Sequence, residues 1–598
     1  MTLKTRNPLS KADEARIRAE LADAYDFDPR DPLFGLNREE HSGPVLKRRA
    51  VLRLMAAAGT LTAWHLIPGL GGAQRAAAAA KGGTLTCGWA GVGEISTLDP
   101  AQINQVLQFQ ISSNVLSGLT HINAELIAQG DLAESWTVSD DGTEYKFKLR
   151  EGVSFHNGDR LTADDVLFTY QRSKDPQKSI HSAVLANVAS VDKIDDYTVR
   201  FKLSKPQASF LPKVLERSSG RAMTIVSRGG LEKMGESAYG LMPVGSGPFK
   251  VTAHQLGQSV TLERNENYYD KERPLLDKVV IQPIVDAEPL AAAIEAGDIQ
   301  LIGGNPAAPE LIDRFVANAD LVVDEAPEPG FQSLWINPWH EEMKVADFNK
   351  PVEELLKEEG FKVRLAIAKG IDRDSYIKQA QFSRGTPCFG SVNPAMAAYF
   401  DAGLATSSSQ TFDLAAARKL MADAGYPDGK GFPKLRLLTT PSQKRETEVI
   451  ANQLKQNLGI DVAIETKDFP VLIEDFDAMK WDLVRLGSGG DYDPDDALVD
   501  WMQTTSKFNG RKRDPAKYPF GFFSDKEVDQ LTSEQSATAD IDKRKELVRR
   551  ANKITSDKVA SAFLFHPKNI LIYHKSVNFP KESRIPGLVD LDRVSLAT

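Results

Sequence analysis

Five aspartates crowd the stretch SGGDYDPDDALVDWM: Asp491, Asp493, Asp495, Asp496 and Asp500. Carboxylates at this density repel one another unless they are solvated, protonated or matched by a cation, so this stretch is where the chain would answer a positive charge. An EF-hand calcium loop would satisfy them, but it requires Gly at its sixth position and Glu at its twelfth, and those positions hold Asp496 and Met502. The plain structural reading is a turn at Asp493-Pro494 followed by a helix start, with Asp495 and Asp496 at the positive end of the helix dipole. Asp491 follows Gly489-Gly490 and need not cap anything, which leaves it the carboxylate most available to a bound cation.

Other chemistries fail on spacing. No segment carries the Gly-x4-Gly-Lys-Ser/Thr of a phosphate-wrapping loop, and GVGEIS at Gly91 has Ser96 where a dinucleotide fold needs its third glycine. His340-Glu341-Glu342 begins like a zinc-protease helix, yet Lys344 stands where the second histidine belongs. The Gly-x-Ser-x-Gly nucleophile elbow is absent, and the nine histidines are scattered singly. Cys87 and Cys388 lie far apart without metal-ligand spacing; two buried thiols are expected, with a single disulfide as the alternative. A net charge of −9 argues against a general nucleic-acid binder, which needs a basic face. No catalytic residue, metal site or cofactor is assigned.

The elements that must position these residues alternate short strands with capped helices, a mixed α/β pattern, and 598 residues exceed the usual size of one domain. In TEYKFKLR, Tyr145, Phe147 and Leu149 alternate with charged residues, and YTVRFKL repeats the device with Tyr197, Val199, Phe201 and Leu203 inward. Between them LTADDVLFTYQRS predicts a helix whose Thr162 and Asp165 cap one another. Further on, FDLAAARKLMADAGY predicts a helix capped by Asp413 and ended by Gly425. The strand LRLLTT, a helix from near Ser442 to Gly459, and a strand with Ile460, Val462 and Ile464 alternating then form a parallel βαβ crossover.

At the other end, LKRRAVLRLMAAAGTLTAWHLIPGLGGAQRAAAAAKGG places Arg48 and Arg49 before an apolar stretch and a small-residue run, as an export signal does. The pair resembles that of a twin-arginine signal, with cleavage near Ala78 or Ala80. Gly59, His65 and Pro68 make the apolar segment a poor permanent span. A long charged segment, LSKADEARIRAELADAYDFDPRDP, precedes it, which is more than most signals carry.

The segment LAESWTVSDDGTEYKFKLREGVSFHNGDRLTADDVLFTYQR, Leu132 to Arg172, resembles the signature region of the family-five, peptide/nickel-type solute-binding proteins of bacterial ABC importers. PVGSGPFKV at Pro243, RNENYYD at Arg264, AAIEAGDIQL at Ala292, VRLAIAKGIDRDSYI at Val363 and AARKLMADAGYPDG at Ala416 match further family segments in order. The resemblance implies an α/β, periplasmic-binding-protein-like clamshell (type II) of two lobes with an additional inserted domain. After a leader at 1–80 it implies domain I at 81–120, 241–330 and 561–598, domain II at 121–240, and domain III at 331–560. It implies closure of the lobes over a ligand delivered to an inner-membrane permease by a periplasmic monomer that performs no catalysis and binds no nucleic acid.

In peptide-binding members of that family an aspartate in a segment like GDYDPDD pairs with the ligand ammonium group, which maps onto Asp491. In some oligopeptide receptors an arginine six residues earlier helps meet a ligand carboxylate, and Arg485 holds that position; its plain reading is a salt bridge to a neighbouring aspartate. Trp335, Trp339, Trp481, Tyr492 and Trp501 are candidate cleft walls, with core packing as the plain alternative. Gly487, Gly489 and Gly490 leave room for a bulky guest or serve a tight turn. The segment PWHEEMKVADFNKPVEELLKEEGFK, 338–362, is longer than the family's usual connection. A short peptide or peptide-like zwitterion is the expected ligand. A non-peptide solute (an opine, an oligosaccharide or a metal chelate) is the second reading and a secreted peptide hydrolase the third.

Overall fold

The computed structural model describes residues 81–90, 93–217, 222–303, 309–490, 492–585 and 587–597. The leader at 1–80, with Arg48, Arg49 and the expected cleavage site, lies outside the described residues, and so does Asp491. Among the described residues no helix is long and apolar enough to cross a membrane.

The alternating strands pair as their patterns require. Glu144–Leu149 lies between Ala133–Val138 and Thr198–Leu203, and Val188–Asp195 completes a four-stranded antiparallel sheet. Its inner face buries Tyr145, Phe147, Leu149, Val199 and Phe201 against Phe210 and Val214, while Lys146 and Lys148 face water. The helix Ala163–Lys174 starts on the expected reciprocal cap: the Thr162 side chain accepts from the Asp165 amide, and the Asp165 carboxylate takes the Thr162 amide at 3.0 Å. Each side chain there satisfies a backbone donor that the first helical turn leaves open.

Twelve of the other described strands form one mixed sheet, and the remaining six pair off in three two-stranded ribbons. One half holds Thr84–Ala90 between Lys278–Ile284 and Leu301–Gly303, parallel to both, and continues through Ser259–Arg264 to Phe249–Gln255. The other half holds the predicted crossover: Leu435–Thr439 and Val462–Thr466 pair in parallel, joined by the helix Lys444–Leu458, which ends on Gly459 with φ +74°. The left-handed backbone there is what glycine tolerates without Cβ strain. Asp413 caps the helix Leu414–Asp423 by accepting from the Ala416 amide at 2.9 Å.

A single strand, Ala562–His574, joins the halves. Its first residues pair with Gly330–Ile336, and its later ones pair with Leu321–Pro327 and Leu301–Gly303. The expected return at 561 therefore falls at the start of a strand that serves both halves. The largest core lies under the second half, around Trp335, Phe361, Leu437, Leu454, Trp481 and Phe563. A smaller core under the first half gathers Leu85, Cys87, Phe249, Leu262 and Ile281. Met343, Val345, Phe348, Leu355 and Phe361 of the long connection are all buried in the larger core, so this insertion adds packing mass to it.

Candidate functional site

The acidic stretch lines a cleft. The strand Leu483–Gly489 runs antiparallel to Gly330–Ile336, and its end, from Leu486 to Gly490, forms the floor of a hollow of about 350 Å³. The helix Phe469–Asp477 supplies Phe469, Ile473 and Phe476 as an apolar wall, and Trp501 and Phe508 extend it. Tyr492, Asp496 and Asp500 come from the acidic stretch itself. Val184 and Lys213 come from the body built on the four-stranded sheet, so two bodies of the fold share this cleft.

Each glycine here has its own reason. A Cβ on Gly487 would stand 2.2 Å from Gln332 Oε1 and 2.4 Å from the Phe331 carbonyl oxygen, so that glycine permits close approach of the paired strand. Gly490 has φ +73° and makes the turn into the acidic stretch. Gly489 has nothing within 4 Å of its would-be Cβ and faces open space.

The plain reading of the later aspartates holds, and each also meets a partner far away in sequence. Asp493 accepts from the Asp495 amide at 2.9 Å, the expected turn, and its carboxylate takes both prongs of Arg544. Asp495 accepts from Ser209 Oγ at 2.7 Å and from Gln535 Nε2 and Ser536 Oγ at 2.5 Å each. Burial pushes the Asp495 carboxyl up, but Arg544 and these hydroxyls outweigh it and hold the group below its ordinary value. Asp496 accepts from the amides of Tyr492 and Asp493 at 3.1 and 3.2 Å and pairs with Lys213. There burial prevails over Lys213 and the carboxyl sits above its ordinary value. Lys213 also faces Asp500 at 3.5 Å, and Lys507 reaches Asp500 at 2.6 Å.

Of the residues expected at the site, Tyr492 and Trp501 line the cleft. Trp335 and Trp481 are placed in the core instead, fully buried, with their indole N–H groups donating to the Leu486 and Phe476 carbonyls at 3.0 and 3.1 Å. A tryptophan so enclosed and satisfied packs the sheet and does not wall the cleft. Trp339 packs on Phe520 and donates to its carbonyl at 3.1 Å. Arg485 is likewise buried. It pairs with Glu446, from the helix Lys444–Leu458, and donates to Gln332 Oε1 at 2.6 Å. Its partner is thus a glutamate across the layer rather than a neighbouring aspartate, and Tyr376 donates to the same carboxylate at 3.1 Å. Asp491 lies outside the described residues, while its chain neighbours Gly490 and Tyr492 both line the cleft. Lys213, Val184 and Phe469 escaped the sequence reading, because nothing in FLPKVLERSSG or its surroundings marks a side chain that meets a carboxylate almost three hundred positions on.

Cys87 and Cys388 are both buried and unbonded to each other, as expected, and burial pushes each thiol up to about 12.

A large mixed sheet whose two halves share one strand, a separate four-stranded body and a cleft with a charged lip over an apolar wall are the architecture of the periplasmic-binding-protein class. Residues 128–510 match the model of the bacterial extracellular solute-binding proteins, family 5, and the chain belongs to that family, whose members serve ABC transporters. The glutathione-binding protein GsiB of Escherichia coli K12 is 27% identical over 462 residues, covering 77% of this chain and 84% of that protein. Two solved structures share the fold. One is the ABC transporter-associated periplasmic binding protein DppA of Helicobacter pylori with the peptide STSA (TM-score 0.66, 24% identity, 87% of this chain and 99% of that one). The other is AgaA of A. tumefaciens R10 with agropinic acid (TM-score 0.64, 23% identity, 86% and 99%).

Proposed function

We propose that this protein captures a short peptide or peptide-like zwitterion in the cleft and hands it to the permease of an ABC importer, acting as a monomer and catalysing no reaction. The observation that carries this reading is the composition of the cleft. The carboxylates of Asp496 and Asp500 and the ammonium groups of Lys213 and Lys507 stand in a hollow whose other lining is mostly aromatic, aliphatic and glycine, with Asp477 and Ser488 among it. Charges of both signs beside an apolar wall suit a guest with an ammonium end, a carboxylate end and a side chain between them. Asp491 is the carboxylate we assign to the ammonium end, since the chain on either side of it lines the hollow. The peptide seen with DppA and the glutathione named for GsiB agree with such a guest.

Agropinic acid in AgaA favours the second reading, an opine or another non-peptide solute, because a relative of the same fold holds one. Against a hydrolase, the described cleft lining sets no histidine beside Ser488, and its lysines, Lys213 and Lys507, are held by Asp496 and Asp500. Export through a twin-arginine leader at 1–80 completes the reading and rests on Arg48-Arg49 and the apolar stretch after them.

Calorimetry on the purified protein tests the assignment. A screen of mixed peptides and opines by thermal shift first finds a ligand, because one that binds only the native state raises the midpoint. Asp491→Asn is then expected to cost about 3 kcal/mol or more of peptide affinity while N-acetylation of the peptide costs the variant little further. Equal affinity of variant and parent would remove Asp491 from the site.

A further inference from the structure

A second pocket lies away from the cleft, where the four-stranded body meets the first half of the large sheet. His121, Gly130, Arg150 and Arg217 come from one side and Tyr268 to Arg273 from the other, around about 340 Å³, with no residue of the larger core. Four cations line it, Arg150, Arg217, Lys271 and Arg273, against one carboxylate, Asp270, in a chain whose net charge is −9. Asp270 is already spent on Arg273, at 2.8 Å to Nε, and Arg273 also reaches Asp592 at 3.0 Å. Arg217 is answered by Asp590 and Asp131, so the charge left over belongs to Arg150 and Lys271.

Their donors are underused. Arg150 spends Nε on the Asp131 carbonyl at 2.7 Å and lies 5.0 Å over the Tyr269 ring, but among the described residues its terminal nitrogens have no ion pair. Among the described residues the Lys271 ammonium makes only a long bond, 3.4 Å, to the Glu266 carbonyl. Arg217, 5% exposed, gives one Nη to Asp590 at 2.9 Å and stands 3.9 Å from Asp131, and its enclosed Nε has no acceptor among the described residues. His121 adds an imidazole with no hydrogen bond to a described residue; burial first, and then Arg217, lower its pKa, so it stands neutral with one N–H to give.

We propose that this pocket is a second ligand site that takes a small oxyanion of two or more negative charges, a phosphate or polycarboxylate, held by Arg150, Lys271 and His121. Several converging donors of this kind select oxygen-rich anions over chloride, because each terminal oxygen accepts a charge-assisted bond. The site is independent of the peptide cleft, and an anion in it would bridge two bodies of the fold.

Titration calorimetry of the purified protein with inorganic phosphate, sulfate and citrate, at ionic strength fixed with sodium chloride, tests this and separates the phosphate from the polycarboxylate source. Saturable binding of at least one of the three is expected, with a matching rise in the unfolding midpoint. Lys271→Gln, at an exposed position, and Arg150→Gln, which keeps a side-chain donor, are each expected to weaken it about tenfold, the loss of one charge-assisted contact, and to leave the affinity for a cleft ligand unchanged. Absence of saturation with all three anions, or binding undiminished in both variants, overturns the proposal.

Discussion

Arg544 grips Asp493 with both prongs, Nη1 to Oδ2 at 2.9 Å and Nη2 to Oδ1 at 2.5 Å, and both side chains are shut off from water. Arg544 Nε also donates to Gln535 Oε1 at 3.0 Å, and the amide of that glutamine holds Asp495. One arginine on the helix Ile541–Asp557 thus anchors the acidic stretch that shapes the cleft.

Removing it strands charge. Arg544→Met leaves Asp493 buried without its cation, which is expected to destabilise the protein by about 3–5 kcal/mol in urea unfolding. The double variant Arg544→Met, Asp493→Leu should recover much of that loss, since no unpaired charge remains at Asp493. A single variant as stable as the parent would show that the pair does not hold the stretch.

The glycines of the cleft floor separate packing from function. Gly487→Ala forces a methyl onto Gln332 and the Phe331 carbonyl and is expected to cost about 1–3 kcal/mol of stability. Gly489→Leu meets open space, so stability should change by roughly 0.5 kcal/mol or less. The leucine instead occupies the hollow, and affinity for a cleft ligand should fall at least tenfold, an apolar side chain taking the guest's volume. Unchanged ligand affinity in Gly489→Leu would place the guest elsewhere.

Acid should weaken the fold through a buried histidine. His566 Nδ1 donates to the Gly330 carbonyl at 3.0 Å, and burial lowers its pKa to about 4. The unfolded chain takes up a proton near pH 6.5 and the native chain only near 4, so the unfolded state binds more protons in between. Stability due to this group is full above about pH 6.5 and lost on descent through the window, by roughly 3 kcal/mol at its lower end. His156, also lowered to about 4, adds a loss of the same sign. Half-buried Glu328, raised to about 7 by burial, works the other way, its contribution fading as pH rises from 4.5 to 7. Urea midpoints of parent and His566→Asn measured from pH 7.5 to 4 isolate the first term: a gap between them independent of pH would contradict the assignment.

Both thiols should be silent in the native protein. Cys87 and Cys388 are enclosed and their pKa values lie near 12, so an aromatic disulfide reagent is expected to label neither natively and both in denaturant. Fast native labelling would mean that one of the cores opens locally.

Much of this was legible in the linear chain because it is local. Thr162 and Asp165 cap one another across three positions, Tyr145, Phe147 and Leu149 sort by a period of two, and Gly459 ends a helix because its own backbone requires it. The crossover pairing Leu435–Thr439 with Val462–Thr466 followed from the helix between them. The turn at Asp493-Pro494 belongs to the same class of short-range fact, whereas a cleft at SGGDYDP was expected only through the family resemblance.

What the tertiary structure alone decided is which side of each element faces the hollow. Trp335, Trp481 and Arg485 sit on strands or at strand ends where either face would suit an aromatic or a cation, and packing turned all three into the core. Lys213 and Ser209 meet Asp496 and Asp495 only because two bodies of the fold come together there. Periodicity fixes the spacing of side chains along one element, but the cations that answer a carboxylate are chosen by proximity in space, and that information exists only once distant segments have packed.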